Sequence, residues 1–163
     1  IAAFKADSIK DLDRKRAKCL DDINMYAWAV AVNALNPIPG VDVSFDLAAF
    51  YKMAKEIRES FGLDETVIEK YMTVLGPVGK KLADEVLAYL TKEGIMWVIK
   101  QVAGQYAKKQ FVKYIPFVGQ AVAACAGFAM TKTLGTYYID NCFELAKEIL
   151  EYEVMNSKDK MKK

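Results

Sequence analysis

Apolar residues recur along this chain at intervals of three and four, the spacing of one helix face. No stretch alternates apolar with polar residues between turn signals, as a strand would. The first helix runs from a capping Asp7 or Ser8 to about Leu35. Its first half, residues 10–22, is charged and amphipathic. Its second half, Met25-Tyr26-Ala27-Trp28-Ala29-Val30-Ala31-Val32, is apolar almost all round, which predicts burial on most sides. The turn Asn36-Pro37-Ile38-Pro39-Gly40 stops this helix. Each proline removes a backbone donor and disfavours helical geometry in the residue before it.

A second helix starts near Asp42. Phe45, Ala48, Ala49, Tyr51 or Lys52, Met53 and Ile57 give it a helical period, and the charges of Lys52, Lys55, Glu56, Arg58 and Glu59 are expected outside. Gly62 suits the end of this helix, and Asp64 can cap a short third one through about Val74. Gly76-Pro77-Val78-Gly79 reads as another break, followed by a fourth helix over residues 80–92 with Leu82, Val86, Leu87 and Leu90 on one face. Gly94 precedes a fifth over residues 95–112, whose apolar face holds Trp97, Val98, Val102, Tyr106 and Phe111, and Pro116 closes it. The sixth is long, from about Phe117 to Tyr152. The pattern predicts an all-α fold, a multi-helix bundle of about six helices with a long C-terminal helix. Residues 1–156 form a single helical domain and residues 157–163 a Lys-rich disordered tail.

Two features exceed generic bundle patterning. The apolar turns around Pro37, Pro39 and Gly40 and around Pro116 and Gly119 echo one another, each beside a helix of small residues. Small side chains also recur every fourth position at Gly119, Ala123, Gly127, Thr131 and Gly135, forming a nearly straight stripe. A glycine inside a helix costs roughly 1 kcal/mol, so the stripe implies close packing. A central helical hairpin against the Ala27, Ala31 and Ala34 side of the first helix is the reading preferred here. A small-residue hairpin inserted in a membrane is the sharper alternative, opposed by short, charge-flanked arms.

Composition narrows the function classes. The 163 residues are 53% hydrophobic and 27% charged, with a net charge of +2. Charges alternate in sign, as in Lys52-Met53-Ala54-Lys55-Glu56-Ile57-Arg58-Glu59, so no phosphate-tracking surface forms and no nucleic-acid partner is expected. Cys19, Cys125 and Cys142 are too few and too scattered for a disulfide framework or a zinc site. They suit a reducing compartment, with Cys125 buried as a small hydrophobe. The chain starts at Ile1 with no secretory signal pattern and is read as an excised domain or processed fragment. Its longest apolar runs, residues 25–35 and 117–130, fall short of the roughly 20 residues that a membrane span needs.

Chemistry is scarce. Histidine is absent, which excludes Ser-His and Cys-His nucleophile pairs, histidine bases and nearly all catalytic zinc sites. Gly76-Pro77-Val78-Gly79-Lys80-Lys81 has the wrong spacing for a phosphate-binding loop and no hydroxyl after the lysine, so it is simply a turn into a helix. Asp21/Asp22 and Glu148/Glu151 have lysines nearby and read as exposed faces. No catalytic, cofactor-binding or metal-ligating residue is assigned. Lys158, Lys160, Lys162 and Lys163 form a modest basic cluster, a solvated terminus or a weak contact for an anionic membrane. Ile139, Phe143, Leu145, Ala146, Ile149 and Leu150 make a broad apolar face expected to pack in the core rather than lie on a membrane.

The run Asn33-Ala34-Leu35-Asn36-Pro37-Ile38-Pro39-Gly40-Val41-Asp42-Val43, followed by Ser60-Phe61-Gly62-Leu63-Asp64-Glu65, resembles the C-terminal helical domain of the interferon-inducible, immunity-related GTPases. Ile115-Pro116-Phe117-Val118-Gly119 and Tyr137-Tyr138 resemble that family's second helical hairpin, so the likeness spans most of residues 15–150. The layout is also similar to helical domains that follow the G domain in some bacterial GTPases. The resemblance implies a non-catalytic part of a dynamin-like GTPase whose separate G domain, absent here, binds GTP and Mg. It further implies packing on that G domain, homo-oligomerisation, contact with an intracellular membrane surface, and a cytoplasmic, peripheral location in innate immunity. None of that family's nucleotide-binding residues has a counterpart here. The competing readings are a scaffold bundle unrelated to GTPases and a small helical enzyme or lipid carrier. Alanine and glycine crowding argues against the cavity that the last of these requires.

Overall fold

Of the computed structural model, residues 8–35, 47–89, 91, 93–94 and 119–161 are described. Among them the chain is all-helical, with five helices: α1 Ile9–Leu35, α2 Leu47–Ser60, α3 Glu65–Met72, α4 Pro77–Ala88 and α5 Gly119–Met161. The helix expected over residues 95–112 and the turn at Pro37, Pro39 and Gly40 lie outside the described residues, as does Pro116.

Local chemistry accounts for the helix ends. Ser8 caps α1, its hydroxyl accepting from the Asp11 amide at 3.2 Å, which satisfies one of the donors that a helix start leaves open. Asp64 does the same for α3, accepting from the Val67 amide at 2.8 Å. α2 ends in a Schellman turn: Leu63 donates to the Arg58 carbonyl at 2.9 Å and Gly62 to the Glu59 carbonyl at 3.0 Å. Gly62 takes φ of 69°, the left-handed geometry this turn requires and other residues resist.

Three boundaries differ from expectation, one being the end of α4, which stops at Ala88 with Tyr89 as its cap rather than running to residue 92. α4 begins at Pro77, not near Lys80, because proline at the first helical position gives up only an amide that would be unpaired anyway. Gly79 is therefore inside the helix and buried rather than part of a break. α5 continues to Met161, through residues expected as a disordered tail; no Gly or Pro interrupts residues 150–161.

α5 is the element against which the others are arranged. α1 packs along it, and α2 and α4 also lie on it. α3 rests on α4 and reaches α5 through Tyr71, which donates to Glu153 and meets the Tyr152 ring edge-on at 6.1 Å. α1 and α5 run antiparallel: Arg16 pairs with Asp140 at 2.6 Å, while Ile23, farther along α1, meets Gly135, earlier on α5. The Arg16 guanidinium also lies 5.0 Å from the Phe143 ring centre, a cation–π contact across the same seam.

The buried face of α5 holds Leu134, Tyr138, Ile139, Cys142, Leu145, Ala146 and Ile149, against Leu12, Cys19 and Ile23 of α1 and residues of α2, α3 and α4. The apolar face read from residues 139–150 is turned into this core. In α1, burial follows one stripe, Leu12, Cys19, Ile23 and Ala27. Met25 and Trp28 are 72% and 62% exposed, so this part of the helix is not enclosed on most sides as its composition suggested. One neighbouring surface covers one face, and the composition of the opposite face does not change that.

The stripe of small residues lies along α5. The side chains of Ala123 and its neighbours near the helix start are outside the described set, but Thr131 is fully buried and Gly135 faces α1. A β-carbon placed on Gly135 would sit 2.5 Å from Ile23 Cδ1 and 3.0 Å from both Cγ atoms. Replacing Gly135 with Val should lower stability in urea by about 2 kcal/mol through overpacking. Adding Ile23→Ala should make the combined loss smaller than the sum of the two single losses by about 1 kcal/mol. Simple additivity in the double-mutant cycle would refute the contact.

Candidate functional site

Among the described residues, the core contains a cluster of polar side chains, built from the C-terminal ends of α2 and α4 and the middle of α5. Arg58 enters it from the last turn of α2. Sequence patterning places Arg58 outside with its charged neighbours, whereas the structure leaves it only 7% exposed. The correction has a simple geometric cause. Ala54, Ile57, Arg58 and Phe61 fall at i, i+3, i+4 and i+7, and all four are buried. The period was therefore a signal for Arg58, masked by its charge.

Tyr138 stands at the centre. Its hydroxyl accepts from Arg58 Nη1 at 3.5 Å and donates to the Val86 carbonyl at 3.4 Å, in the last turn of α4. The Tyr89 ring lies 4.1 Å from that of Tyr138, tilted by 30°. One turn along α5, Cys142 is fully buried, and Cys19 of α1 is 2% exposed. Both thiols are free.

These surroundings favour neutral side chains. Burial pushes the Cys142 thiol well above its ordinary value, and the nearby Arg58 charge only partly opposes that. Burial likewise raises Cys19, with Asp22 adding to it and the Ser60 hydroxyl working the other way. Tyr138 is raised by burial and by Cys142, again against Arg58. Tyr89 is raised by burial first, then by Tyr137 and Cys142. A thiol kept protonated is a poor nucleophile, so the cluster does the work of packing and hydrogen bonding.

A second polar contact lies where α3 meets α5. Burial, the hydrogen bond to Glu153 and the charge of Glu153 together push Tyr71 up to about 12. Lys70 sits 5.2 Å from the same ring.

The residues singled out from sequence are not gathered into this cluster. Gly119, Ala123, Gly127, Thr131 and Gly135 precede it on α5, and the basic residues follow it. Lys158 is exposed on the last turns of α5, Lys160 lies in the same helix, and Lys162 and Lys163 are outside the described residues. Among the described residues, no three His, Cys, Asp or Glu side chains are grouped to hold a metal ion, and no helix is long and apolar enough to cross a membrane. Asp21, Asp22 and Glu151 are exposed, in line with their reading as solvated charges, whereas Glu148 is half-buried.

Stability should therefore depend on alkaline pH. Each of these groups binds its proton more tightly in the folded chain than in the unfolded one, so its contribution is complete below the unfolded value and disappears as pH rises through the folded value. The unfolded values are near 9 for cysteine and 10 for tyrosine, and Tyr71 titrates at about 12 when folded. The urea midpoint should be flat between about pH 7 and 8 and fall steadily from about 9 to 12. Tyr138→Phe and Cys142→Ala should each flatten the fall, and an unchanged slope in both variants would contradict the assignment.

Comparison with known proteins adds no relative to this geometry: no family model matches the sequence, and neither a curated protein nor a solved structure matches the chain.

Proposed function

We propose that this chain is the non-catalytic helical part of a dynamin-like GTPase of the immunity-related type. In this reading GTP and Mg bind a separate G domain, and the helical part couples that domain to self-assembly and to an intracellular membrane surface from the cytoplasmic side. The sequence support is the ordered pair of turns, Pro37-Ile38-Pro39-Gly40 and Pro116-Phe117-Val118-Gly119, with Phe61-Gly62-Leu63-Asp64 between them. The observation that carries it structurally is the long antiparallel pair α1–α5, with the shorter helices laid on α5 and the end of α5 left exposed. Such a pair can hold a neighbouring domain at one end while presenting a different surface at the other.

The basic cluster supplies the membrane arm of the proposal. Exposed Val154, Met155 and Met161 accompany Lys158 on the last turns of α5, joining apolar contact to positive charge. Attraction of about 1 kcal/mol per lysine near an anionic surface makes this a weak, salt-sensitive contact.

Two measurements test the reading. A fluorescent guanine nucleotide should show no saturable binding to this chain, and the coding sequence upstream of Ile1 should contain a Gly-x-x-x-x-Gly-Lys-[Ser/Thr] loop. Nucleotide bound here, or a coding sequence without that loop, would leave the unrelated scaffold bundle as the better account. In flotation assays the chain should rise with phosphatidylserine vesicles and stay down with neutral ones. Removing residues 158–163 should reduce the floated fraction at least tenfold; equal flotation without them would remove the membrane arm.

A further inference from the structure

The turn between α3 and α4 carries more apolar surface than joining two helices requires. Val74 is 45% exposed, Val78 is 65% exposed, and Pro77 beside Val78 is exposed as well. Single exposed aliphatic residues are ordinary, whereas a contiguous group of them marks a contact surface. The turn is also firmly held. The Val74 and Leu75 amides donate to the Tyr71 carbonyl at 3.1 and 3.0 Å, and the Lys80 amide donates to the Gly76 carbonyl at 2.9 Å. Leu75 folds inward over Gly79 and packs against the core, while Val74 and Val78 are left facing solvent.

The charge around this tip has one sign. Residues 70–83 include Lys70, Lys80 and Lys81, all exposed, and no Asp or Glu. The nearest acids in sequence, Glu69 and Asp84, stand farther from the tip along their helices than these lysines do. Neither Lys80 nor Lys81 forms an ion pair with a described residue. Topology sets the turn beside the free end of α5. Tyr71, near the end of α3, reaches Tyr152 and Glu153, and α4 then runs back to Tyr138, where Val86 and Tyr89 meet it. The turn is therefore at the end of the bundle from which Val154, Met155 and Lys158 project. Residues 154–163 contain four lysines and one aspartate. Since the whole chain has a net charge of only +2, the residues outside these two segments are net negative, and the positive charge is gathered in the two.

We propose that the α3–α4 turn is a docking surface for an anionic lipid bilayer, with Val74, Pro77 and Val78 entering it and Lys70, Lys80 and Lys81 resting on the headgroups. Protein interfaces are depleted in lysine and enriched in aromatic residues and arginine, and residues 73–81 contain neither of the latter. Aliphatic residues ringed by lysine match the layering of a bilayer instead, with acyl chains beneath a sheet of negative charge. The inference rests on the membrane arm of the proposed function and adds a second, separate contact to it. Two weak contacts on one chain bind together far better than either does alone.

The test is flotation of the full chain with phosphatidylserine vesicles and with phosphatidylcholine vesicles. Lys80→Gln combined with Lys81→Gln should weaken partitioning onto phosphatidylserine by about thirtyfold, the loss of two lysine contacts. Val74→Asp combined with Val78→Asp should weaken it at least as much, and Lys80→Arg combined with Lys81→Arg should leave it unchanged. These positions face solvent, so each variant should keep the urea midpoint of the unmodified chain. The extra emission of Val78→Trp should move to the blue on phosphatidylserine and be quenched by brominated acyl chains. Turn variants that float like the unmodified chain, while removal of residues 158–163 still cuts flotation, overturn this inference and leave the reading of α5 intact. The reverse pattern keeps the turn and overturns the reading of α5. No flotation of the unmodified chain, or equal flotation on the two kinds of vesicle, overturns both.

Discussion

The separation between α1 and α5 governs this fold. Where Gly135 presents no side chain, Ile23 occupies the space and brings the two helices close. That approach lets Arg16 reach both Asp140 and Phe143, and places Cys19 within the common core. A fully buried aliphatic side chain contributes about 1.5–3 kcal/mol by leaving water. Losing the close approach would therefore weaken Leu12, Ile23 and Ile139 together, since they share one core. The Arg16–Asp140 pair is partly exposed and adds little by comparison; its importance is in fixing which residues of the two helices lie side by side.

The second constraint is electrostatic. Two helix ends, those of α2 and α4, converge on α5 around one arginine and one tyrosine. Their partial negative charges make the site tolerant of a cation, while its burial keeps Cys142, Tyr89 and Tyr138 neutral. The arrangement joins three helices through Arg58, Tyr138 and the Val86 carbonyl. Apolar packing alone offers no such directional link, because dispersion and the hydrophobic effect scarcely distinguish one aliphatic neighbour from another.

Much of this was legible in the residues, and the exceptions have identifiable causes. The helical class, the cap at Asp64 and the stop at Gly62 follow from short-range chemistry that three or four residues encode. The start of α4 was misread because Pro77 and Gly79 break helices in the interior but are accommodated in the first turn. Met25 and Trp28 were expected inside on composition, yet burial depends on how many surfaces face a helix, which local sequence does not state. Arg58 is the instructive case. Its position in the helical period pointed inward and its charge pointed outward, and in the folded chain the period prevailed. The joining of Arg58 to Tyr138 spans 80 residues of sequence, and no pattern in one chain brings such residues together.

The exposed end of α5 has a dynamic consequence. From Thr131 to Leu150 the helix is held by the core, and Tyr152 and Glu153 retain contact with Tyr71. From Val154 onward the backbone hydrogen bonds have little around them but solvent. Opening the last turns therefore disrupts almost no tertiary contact, while opening the middle requires dismantling the core. Amide protons along this one continuous helix should differ in lifetime by orders of magnitude, with the boundary near Tyr71 acting as the clamp where local fraying gives way to cooperative unfolding.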